Sequence, residues 1–242
     1  MSQIKQNLIV VVISFVGIVF FVSNYFKKNT ETTTYIEKNF SAKSLQLKVD
    51  FPKDRFDFCG ERMPANQSSN YKKFNKELRK FLAYRNGLKQ LFRRADYYFP
   101  SIEKRLSRCN LPEDMKYIPM IESRFLKGKS EKGAQGFWQF MPATAQNYGL
   151  VVNDSLDERL DLKKSTQAAC SYLNQMNKSL NSWTLTAAAF NSGLGRVDSK
   201  MTNNPVLYSN FYTASWNEET YTYIFRLMAI KHIYENRDRY NL

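Results

Sequence analysis

Residue types that bind metals or form covalent cross-links are scarce in this chain. Its 242 residues include one histidine, His232, and three cysteines, Cys59, Cys109 and Cys170. None of them has the spacing of a zinc site, and one histidine with three scattered cysteines is not a plausible zinc set. The sequence therefore predicts no metal and no cofactor. The odd number of cysteines leaves at least one thiol free and does not say which of them would pair.

Acidic residues are also few beside basic ones. The chain has 36 Lys and Arg against 22 Asp and Glu, a net charge of +14. A surface with this charge attracts polyanions such as nucleic acid, anionic lipid or an acidic cell-wall polymer. The basic residues are scattered among polar and apolar ones, and no RRM, KH or zinc-finger signature organises them. We therefore predict a solvated basic surface and no nucleic-acid partner.

Internal repeats are absent, and no strand pattern competes with the helical ones. Apolar residues recur at helical spacing through most of the chain. The predicted helical segments are 70–99, 101–108, a third segment that begins after Pro112 and carries Glu122, and then 142–148, 162–180, 183–190 and 217–235. Gly87 is expected to weaken the first helix, and Pro119 to bend the third. The pattern predicts an all-α fold, and the length suits one catalytic domain of about 150 to 200 residues with a short appendage.

An apolar run occupies the N-terminal end of the chain. It extends from Leu8 to Val22, with Lys5 before it and Lys27 and Lys28 after it. Its length fits either a signal-peptide core of about 7 to 15 residues or a short membrane span. No small-x-small cleavage pattern and no cysteine for lipid attachment follow it, which favours an uncleaved anchor.

Composition divides the chain into four parts. Residues 1–28 are predicted to form the membrane anchor or signal segment, and the polar residues 29–49 a flexible tether. Residues 50–110 are predicted to be a helical extension packed on the catalytic domain, which is assigned to residues 111–242.

Glu122 is the candidate catalytic acid, because it ends an apolar helical run and an aromatic cluster follows it. Its neighbours Met120, Ile121 and Phe125 are apolar, and Phe137 and Trp138 come after a glycine-rich turn. A carboxylic acid whose pKa is raised by an apolar pocket can protonate the leaving oxygen of a glycosidic bond near neutral pH. From the residues alone, an ordinary glutamate on a helix surface remains the alternative.

Four motifs in order resemble the family 1 lytic transglycosylases, which are murein enzymes of the soluble-lytic-transglycosylase type. They are Glu122-Ser123, the run from Gly136 to Ala145, the run from Ala188 to Gly193, and Glu219-Thr220-Tyr221-Thr222-Tyr223-Ile224. The runs from Tyr117 to Ser123 and from Asn147 to Leu150 are similar to the membrane-bound transglycosylase D subgroup, and so is the stretch from Phe58 to Pro64.

The resemblance implies a lysozyme-like all-α domain that acts on peptidoglycan glycan strands at the periplasmic face of the membrane. Such enzymes cleave the β-1,4 bond between N-acetylmuramic acid and N-acetylglucosamine and leave a 1,6-anhydromuramoyl end without consuming water. It further implies that Glu122 acts first as the acid and then as the base. The implied substrate-binding residues are Ser123, Gln139, Asn191, Tyr223, Phe137 and Trp138, and Tyr223 would also hydrogen-bond the catalytic carboxyl.

The sequence offers no obvious second carboxylate for a retaining mechanism, which needs one about 5 to 5.5 Å from the first. Assistance by the substrate's own acetamido oxygen is the expected substitute. Two residues depart from the family pattern, namely Phe190 at a position more often tyrosine and Phe225 at a position often proline. Two alternatives remain, a goose-type lysozyme-like muramidase and a non-catalytic cell-wall-binding module.

Overall fold

The computed structural model describes residues 56–64, 68–202, 211–213 and 216–242, and this part of the chain is almost entirely helical. A hairpin of two short antiparallel strands, β1 (Asp57–Phe58) and β2 (Glu61–Arg62), comes first. The α-helices are α1 (Ser68–Ala83), α2 (Arg85–Arg108), α3 (Tyr117–Glu122), α4 (Pro142–Asn147), α5 (Leu162–Leu180), α6 (Trp183–Ser192), α7 (Leu194–Thr202) and α8 (Glu218–Glu235). Short 3-10 turns cover Glu113–Lys116, Glu158–Leu160, Phe211–Thr213 and Arg237–Tyr240. The prediction of a mainly helical fold is confirmed for the described residues.

The predicted membrane segment, residues 1–28, and the predicted tether, residues 29–49, lie outside the described residues. Within the described ranges, no helix combines the length and the apolar character needed to cross a bilayer. The compact unit that contains the described residues runs from Lys53 to Leu242. The boundary proposed at residue 110, between an extension and a catalytic domain, stays a prediction.

Helix α8 lies at the centre of the core. Its side chains are buried on nearly every side, including Tyr223, Ile224 and Phe225. Helices α1, α3 and α6 all pack against it. Phe225 is fully buried against Tyr212 and Tyr221, so an aromatic ring fills space at the position where a proline would have interrupted the helix. A helix that is apolar all round must be buried, which explains this central place.

The break between the first two helices lies close to Gly87, where the sequence predicted that the helix could split, and not at Pro100. The sequence predicted one helix over 70–99 and another over 101–108, but α1 ends at Ala83 and α2 continues without a break through Pro100. The buried face of α2 runs unbroken across the proline, with Phe99 and Ile102 on either side of it. Burial of that face, at about 1.5–3 kcal/mol for each large side chain, outweighs the roughly 3 kcal/mol cost of an interior proline.

The helix that carries Glu122 is shorter than predicted. Residues Glu113–Lys116 form a 3-10 turn, and only Tyr117–Glu122 are α-helical. Pro119 therefore lies in the first turn of α3, where a missing N–H costs little because no partner is available within the helix. Its carbonyl oxygen accepts hydrogen bonds from the backbone N–H of Ser123 at 3.1 Å and from the Ser123 hydroxyl at 3.0 Å. The helix consequently ends directly after the candidate acid.

The N-terminal hairpin is fixed to the helical core through Glu61. The Glu61 carboxylate accepts hydrogen bonds from the Ser182 hydroxyl at 2.8 Å and from the Thr184 backbone N–H at 2.9 Å. These groups belong to the N-terminus of α6, whose free N–H groups and positive dipole end favour a carboxylate. The segment therefore packs on the helical core, as the sequence predicted, although its two short strands were not predicted.

Candidate active site

Glu122 and Tyr223 meet between α3 and α8. Glu122 is the last residue of α3, and the Tyr223 hydroxyl donates a hydrogen bond of 2.8 Å to its Oε1 atom. Tyr223 is 1% exposed. Within the described ranges, this is the one hydrogen bond that the Glu122 carboxyl accepts. The predicted contact between the acid and the tyrosine, which lie 101 positions apart in the sequence, is present in the structure.

Burial raises the pKa of Glu122 to about 7. Part of the residue reaches the surface, but its carboxyl group is enclosed by protein, and loss of solvent disfavours the charged form. The Tyr223 hydrogen bond and the Arg226 charge lower this pKa, whereas the Glu219 charge raises it. Loss of solvent is the largest of these effects. Glu122 therefore keeps its proton to near neutral pH, as a general acid requires.

The chain turns sharply after Glu122. Arg124 and Phe125 both have positive φ angles, 52° and 57°, which non-glycine residues rarely adopt. The Ser123 hydroxyl stabilises this turn, because it accepts from the Phe125 N–H at 3.0 Å and donates to the Phe137 carbonyl at 2.8 Å. The Arg94 side chain holds the Arg124 carbonyl at 2.8 Å. Ser123 was predicted to contact substrate or the acid, but its hydroxyl bonds here to backbone groups.

A buried arginine organises the glycine-rich loop that follows. Arg159 is 3% exposed and donates to the carbonyl oxygens of Gly133 at 2.8 Å and Phe140 at 2.9 Å. Its charge is paired with Asp157 at 2.7 Å. Gly136 lies against the Arg159 backbone with a φ angle of +82°, and a Cβ atom there would stand 1.9 Å from the Arg159 carbonyl oxygen. The loop therefore requires glycine at this position.

Gln139 and Asn191 differ in the hydrogen bonds that their side chains make. The Gln139 amide nitrogen donates to the carbonyls of Gly128 at 3.1 Å and Gly136 at 2.9 Å, and its φ angle is 51°. Gln139 therefore fixes the loop as well as lining it. Asn191 is half-buried near the end of α6, and its amide makes no hydrogen bond within the described part of the chain. Neither residue hydrogen-bonds Glu122 in this structure.

Phe137 and Trp138 are both in the core. Phe137 is 2% exposed and packs edge-on against Tyr98, with ring centres 5.1 Å apart. Trp138 is fully buried, donates from Nε1 to the Thr166 hydroxyl at 3.0 Å, and lies beside Phe190. Neither ring presents an accessible face to a sugar in this structure. A stacking role for either ring stays a prediction.

Two charged residues that change the pKa of Glu122, Glu219 and Arg226, were not predicted as site residues from the sequence. Both lie on α8, four residues before and three residues after Tyr223, so all three share one helix face. Arg226 pairs with Glu219 at 2.8 Å and lies 3.7 Å from the buried Glu77 of α1. The charge of Glu219 is close enough to raise the pKa of Glu122, but its side chain is largely exposed and paired with Arg226. The 3-4 spacing around Tyr223 was the signal that could have found both residues.

Neutralising Glu219 should weaken the acid at neutral pH. Glu219→Gln removes a charge that raises the pKa of Glu122 and frees Arg226, whose charge lowers it. Both changes lower the pKa of Glu122, so the loss of kcat/KM at high pH should begin at a lower pH. We expect roughly two- to fivefold less activity at pH 7.5, with little change at pH 5. A full pH profile of kcat/KM measures the shift.

The neighbouring substitution Glu218→Gln is the matched control. It removes the same charge one residue away, but Glu218 pairs with Lys73 of α1 and does not influence the pKa of Glu122. Its profile should coincide with that of the unchanged protein. Equal shifts in both variants would show that the effect comes from the overall charge.

The described residues contain no group of three or more His, Cys, Asp and Glu side chains placed to hold a metal ion. His232 is half-buried at the edge of the core, and its Nε2 atom lies 3.0 Å from the Tyr240 hydroxyl. Burial lowers the pKa of His232 to about 4, so the ring is neutral at pH 7. Burial therefore explains the neutral ring, and the contact with Tyr240 gives its Nε2 atom a hydrogen-bond partner.

Comparison with known proteins adds to this geometry. Residues 99–208 match the family model of the transglycosylase SLT domain. The membrane-bound lytic murein transglycosylase D of Escherichia coli (strain K12) is 30% identical over 193 residues, which are 78% of this chain and 42% of that protein. The putative tributyltin chloride resistance protein of Alteromonas sp. (strain M-1) is 33% identical over 132 residues, 52% of this chain and 63% of that protein. The chain thus spans less than half the length of the first of these relatives.

A solved structure also aligns with the chain. It is the 70 kDa soluble lytic transglycosylase of Escherichia coli, with a TM-score of 0.46 and 24% sequence identity over 58% of this chain and 24% of that one. The resemblance predicted from the motifs is confirmed by the family match, which includes Glu122, Gln139 and Asn191. Tyr223 and Glu219 lie beyond the matched residues, and the structure brings them to the acid.

Proposed function

We propose that this protein, whose residues 99–208 match the transglycosylase SLT domain model, is a peptidoglycan lytic transglycosylase with Glu122 as its acid. The observation that carries the proposal is the enclosed Glu122 carboxyl, with a pKa raised to about 7 and a hydrogen bond from Tyr223. The name of the relative from Escherichia coli, a lytic murein transglycosylase, supports murein as the substrate. The lysozyme-like fold is part of the same proposal.

The first step of the proposed reaction breaks the bond between N-acetylmuramic acid and N-acetylglucosamine. Protonated Glu122 gives its proton to the bridging oxygen, and the electrons of the broken bond go to that oxygen. Positive charge then develops at the anomeric carbon of the muramoyl sugar. Because Glu219 is exposed and paired with Arg226, the substrate's acetamido oxygen is the better source of stabilisation for that charge.

The second step closes a ring within the muramoyl sugar. Glu122, now a carboxylate, takes the proton of the 6-hydroxyl group while that oxygen bonds to the anomeric carbon. Glu122 regains its starting protonation state, and no water is consumed. The 6-hydroxyl can compete with water because it is held in the same molecule, where effective concentrations are very high. The Tyr223 hydroxyl would stabilise the carboxylate form between the two steps.

The remaining predicted site residues are proposed to act either by contacting the sugar or by shaping the loop. Asn191, whose amide makes no hydrogen bond to any described residue, is half-buried near the end of α6 and is proposed to hydrogen-bond the sugar. Gln139 would offer its amide oxygen to the sugar while its nitrogen holds the loop. Ser123, Phe137 and Trp138 would act through the shape of the loop, given their buried contacts.

We further propose that the enzyme works at the periplasmic face of the membrane and is held there by residues 1–28. The apolar run of the sequence supports this location, and so does the name of the relative from Escherichia coli, which describes that protein as membrane-bound. The substrate is outside the cytoplasm, so an exported or anchored enzyme is required. Its partners would be the glycan strands and the membrane.

Product analysis tests the proposed reaction. Purified peptidoglycan is digested with the protein, and the soluble fragments are separated and weighed by mass spectrometry. The proposal expects fragments with 1,6-anhydromuramoyl ends, which are about 18 Da lighter than hydrolysed fragments and lack a reducing end. Reducing muramoyl ends would instead indicate a goose-type lysozyme-like muramidase. Binding to peptidoglycan without any release of fragments would indicate a wall-binding module, and either result would overturn the proposal.

A further inference from the structure

Two of the three cysteines lie against each other where α2 meets α5. Cys109 follows the last residue of α2, and its backbone N–H donates to the Arg105 carbonyl at 3.1 Å. The Cys170 thiol of α5 lies 3.8 Å from that same carbonyl oxygen. Both cysteines are free thiols in this structure, and the nearby Cys109 side chain contributes, after burial, to raising the pKa of the Cys170 thiol. One carbonyl group therefore lies against both the backbone of Cys109 and the thiol of Cys170.

The residues on either side of Cys170 in α5 confirm that this helix face is turned toward Cys109. Gln167, three residues before Cys170, places its amide nitrogen 3.9 Å from the Cys109 sulfur. Asn174, four residues after it, donates to the Cys109 carbonyl at 3.1 Å. Positions separated by three and four residues share one helix face, so Cys170 projects between these two contacts. Cys59 lies elsewhere, in the turn of the hairpin, where its N–H donates to Asp114 at 2.6 Å.

We propose that Cys109 and Cys170 form a disulfide bond when the folded protein meets a disulfide oxidant. The thiolate of the half-exposed Cys109 attacks one sulfur of the oxidant and displaces the other as a thiol. The Cys170 sulfur then loses its proton and attacks the Cys109 sulfur, which releases the second half of the oxidant. Two protein thiols become one disulfide, and the oxidant disulfide is reduced to two thiols.

The bridge would enclose the catalytic part of the chain. The loop between the two cysteines contains Glu122, Gln139 and Arg159. A cross-link that closes a loop of about 60 residues removes substantial entropy from the unfolded chain. We expect the oxidised protein to melt roughly 5–10 °C above the reduced protein. Because burial raises the pKa of the Cys170 thiol, bridge formation should become faster as the pH rises.

Thiol mapping tests the inference without using enzyme activity, so it can fail or succeed independently of the proposed function. The purified protein is incubated with oxidised glutathione at pH 8, unfolded in alkylating reagent and digested. We expect a cross-linked peptide pair that contains Cys109 and Cys170, with Cys59 alkylated. Cys59→Ser should retain the bridge and the raised melting temperature, and Cys109→Ser should lose both.

Three outcomes would overturn the inference. The first is alkylation of all three cysteines after oxidation, and the second is a glutathione adduct that stays on Cys109 without resolution by Cys170. The third is a bridge that involves Cys59. If Cys109→Ser does not fold, the comparison of oxidised and reduced unchanged protein still decides the matter, because it requires no substitution.

Discussion

Glu122→Gln should reduce turnover of peptidoglycan at least about a thousandfold, equivalent to about 4 kcal/mol of transition-state stabilisation. Glutamine has nearly the same shape, and its amide oxygen can still accept the hydrogen bond from Tyr223. It has no proton to give to the bridging oxygen and no carboxylate to take one from the 6-hydroxyl. The loss should therefore appear in kcat, while binding of the glycan strand is largely kept. Release of soluble fragments over time and co-sedimentation with insoluble peptidoglycan measure the two quantities.

Glu131→Gln is the matched control for this substitution. Glu131 is an exposed residue of the loop between α3 and α4, and it has no place in the proposed chemistry. It should leave turnover within about twofold of the unchanged value. Turnover that survives Glu122→Gln would mean that another group supplies the proton, and the proposed assignment of the acid would then be wrong.

The same substitution carries a second expectation, for stability. The pKa of Glu122 in the folded protein is raised to about 7, above its ordinary value of 4.5. The folded state therefore holds this proton more tightly than the unfolded state, and the stability that comes from it is lost as the pH rises from 4.5 through 7. Glu122→Gln cannot ionise, so relative to the unchanged protein it should gain about 1–3 kcal/mol between pH 4.5 and pH 8. Urea unfolding at the two pH values measures the difference.

Gly136→Ala should destabilise the protein by more than about 3 kcal/mol and remove most of its activity. An alanine at a φ angle of +82° costs about 1–2 kcal/mol in backbone strain. In addition, its Cβ atom would stand 1.9 Å from the Arg159 carbonyl oxygen, a backbone atom that cannot turn aside. The loop must then move by more than an ångström, which disturbs the contacts of Arg159 and Gln139. Urea unfolding and peptidoglycan digestion measure the two losses.

Gly133→Ala is the matched control, because it should introduce the backbone strain of a positive φ angle without a steric clash. Gly133 lies in the same loop with a φ angle of +87°, and a Cβ atom there would have no neighbour within 4 Å. This variant should lose only the strain, about 1–2 kcal/mol, and should keep its activity. If the two alanine variants proved equally unstable, the close approach of Gly136 to Arg159 would have no energetic weight.

Local signals in the sequence were enough to predict several helices closely. The predicted bounds of α5, 162–180, are those of the structure, where the Asp161 side chain caps the Lys164 N–H at 2.9 Å. Asn181 ends this helix in the left-handed conformation. The start of α8 was predicted to within one residue, and Asn217 caps it. Caps act over three or four residues, so a sequence displays them directly.

Tertiary contacts decided the features that the sequence did not predict. Pro100 is normally a reason to end a helix, but burial on both sides of it keeps α2 continuous. Helix α7 and the short hairpin were not predicted, and the hairpin depends on Glu61 capping a helix more than 100 residues away. These features are stabilised by contacts with residues that are distant in the sequence.

In the candidate site, too, some residues were predicted from the sequence and others depend on tertiary contacts. The resemblance pointed to Glu122 and to the tyrosine that bonds it, because both lie within recognisable motifs. It did not reveal that Ser123 and Gln139 bond to backbone groups of the loop, nor that Arg159 holds that loop from behind. Arg159 lies outside the motifs, and the supporting contacts of all three residues are identified only by their distances.

The contact between Glu122 and Tyr223 has a consequence for the order of events during synthesis. Helix α8 contributes the hydroxyl that bonds the acid, and it lies about 100 residues after Glu122 in the chain. A nascent chain that has not yet released α8 from the ribosome would have its acid exposed to water, with the ordinary pKa of a glutamate and no tyrosine beside it. The proton-retaining pocket would form only when α8 docks among α1, α3 and α6. The site of the proposed acid would in this way stay incomplete until α8 has been made and has docked.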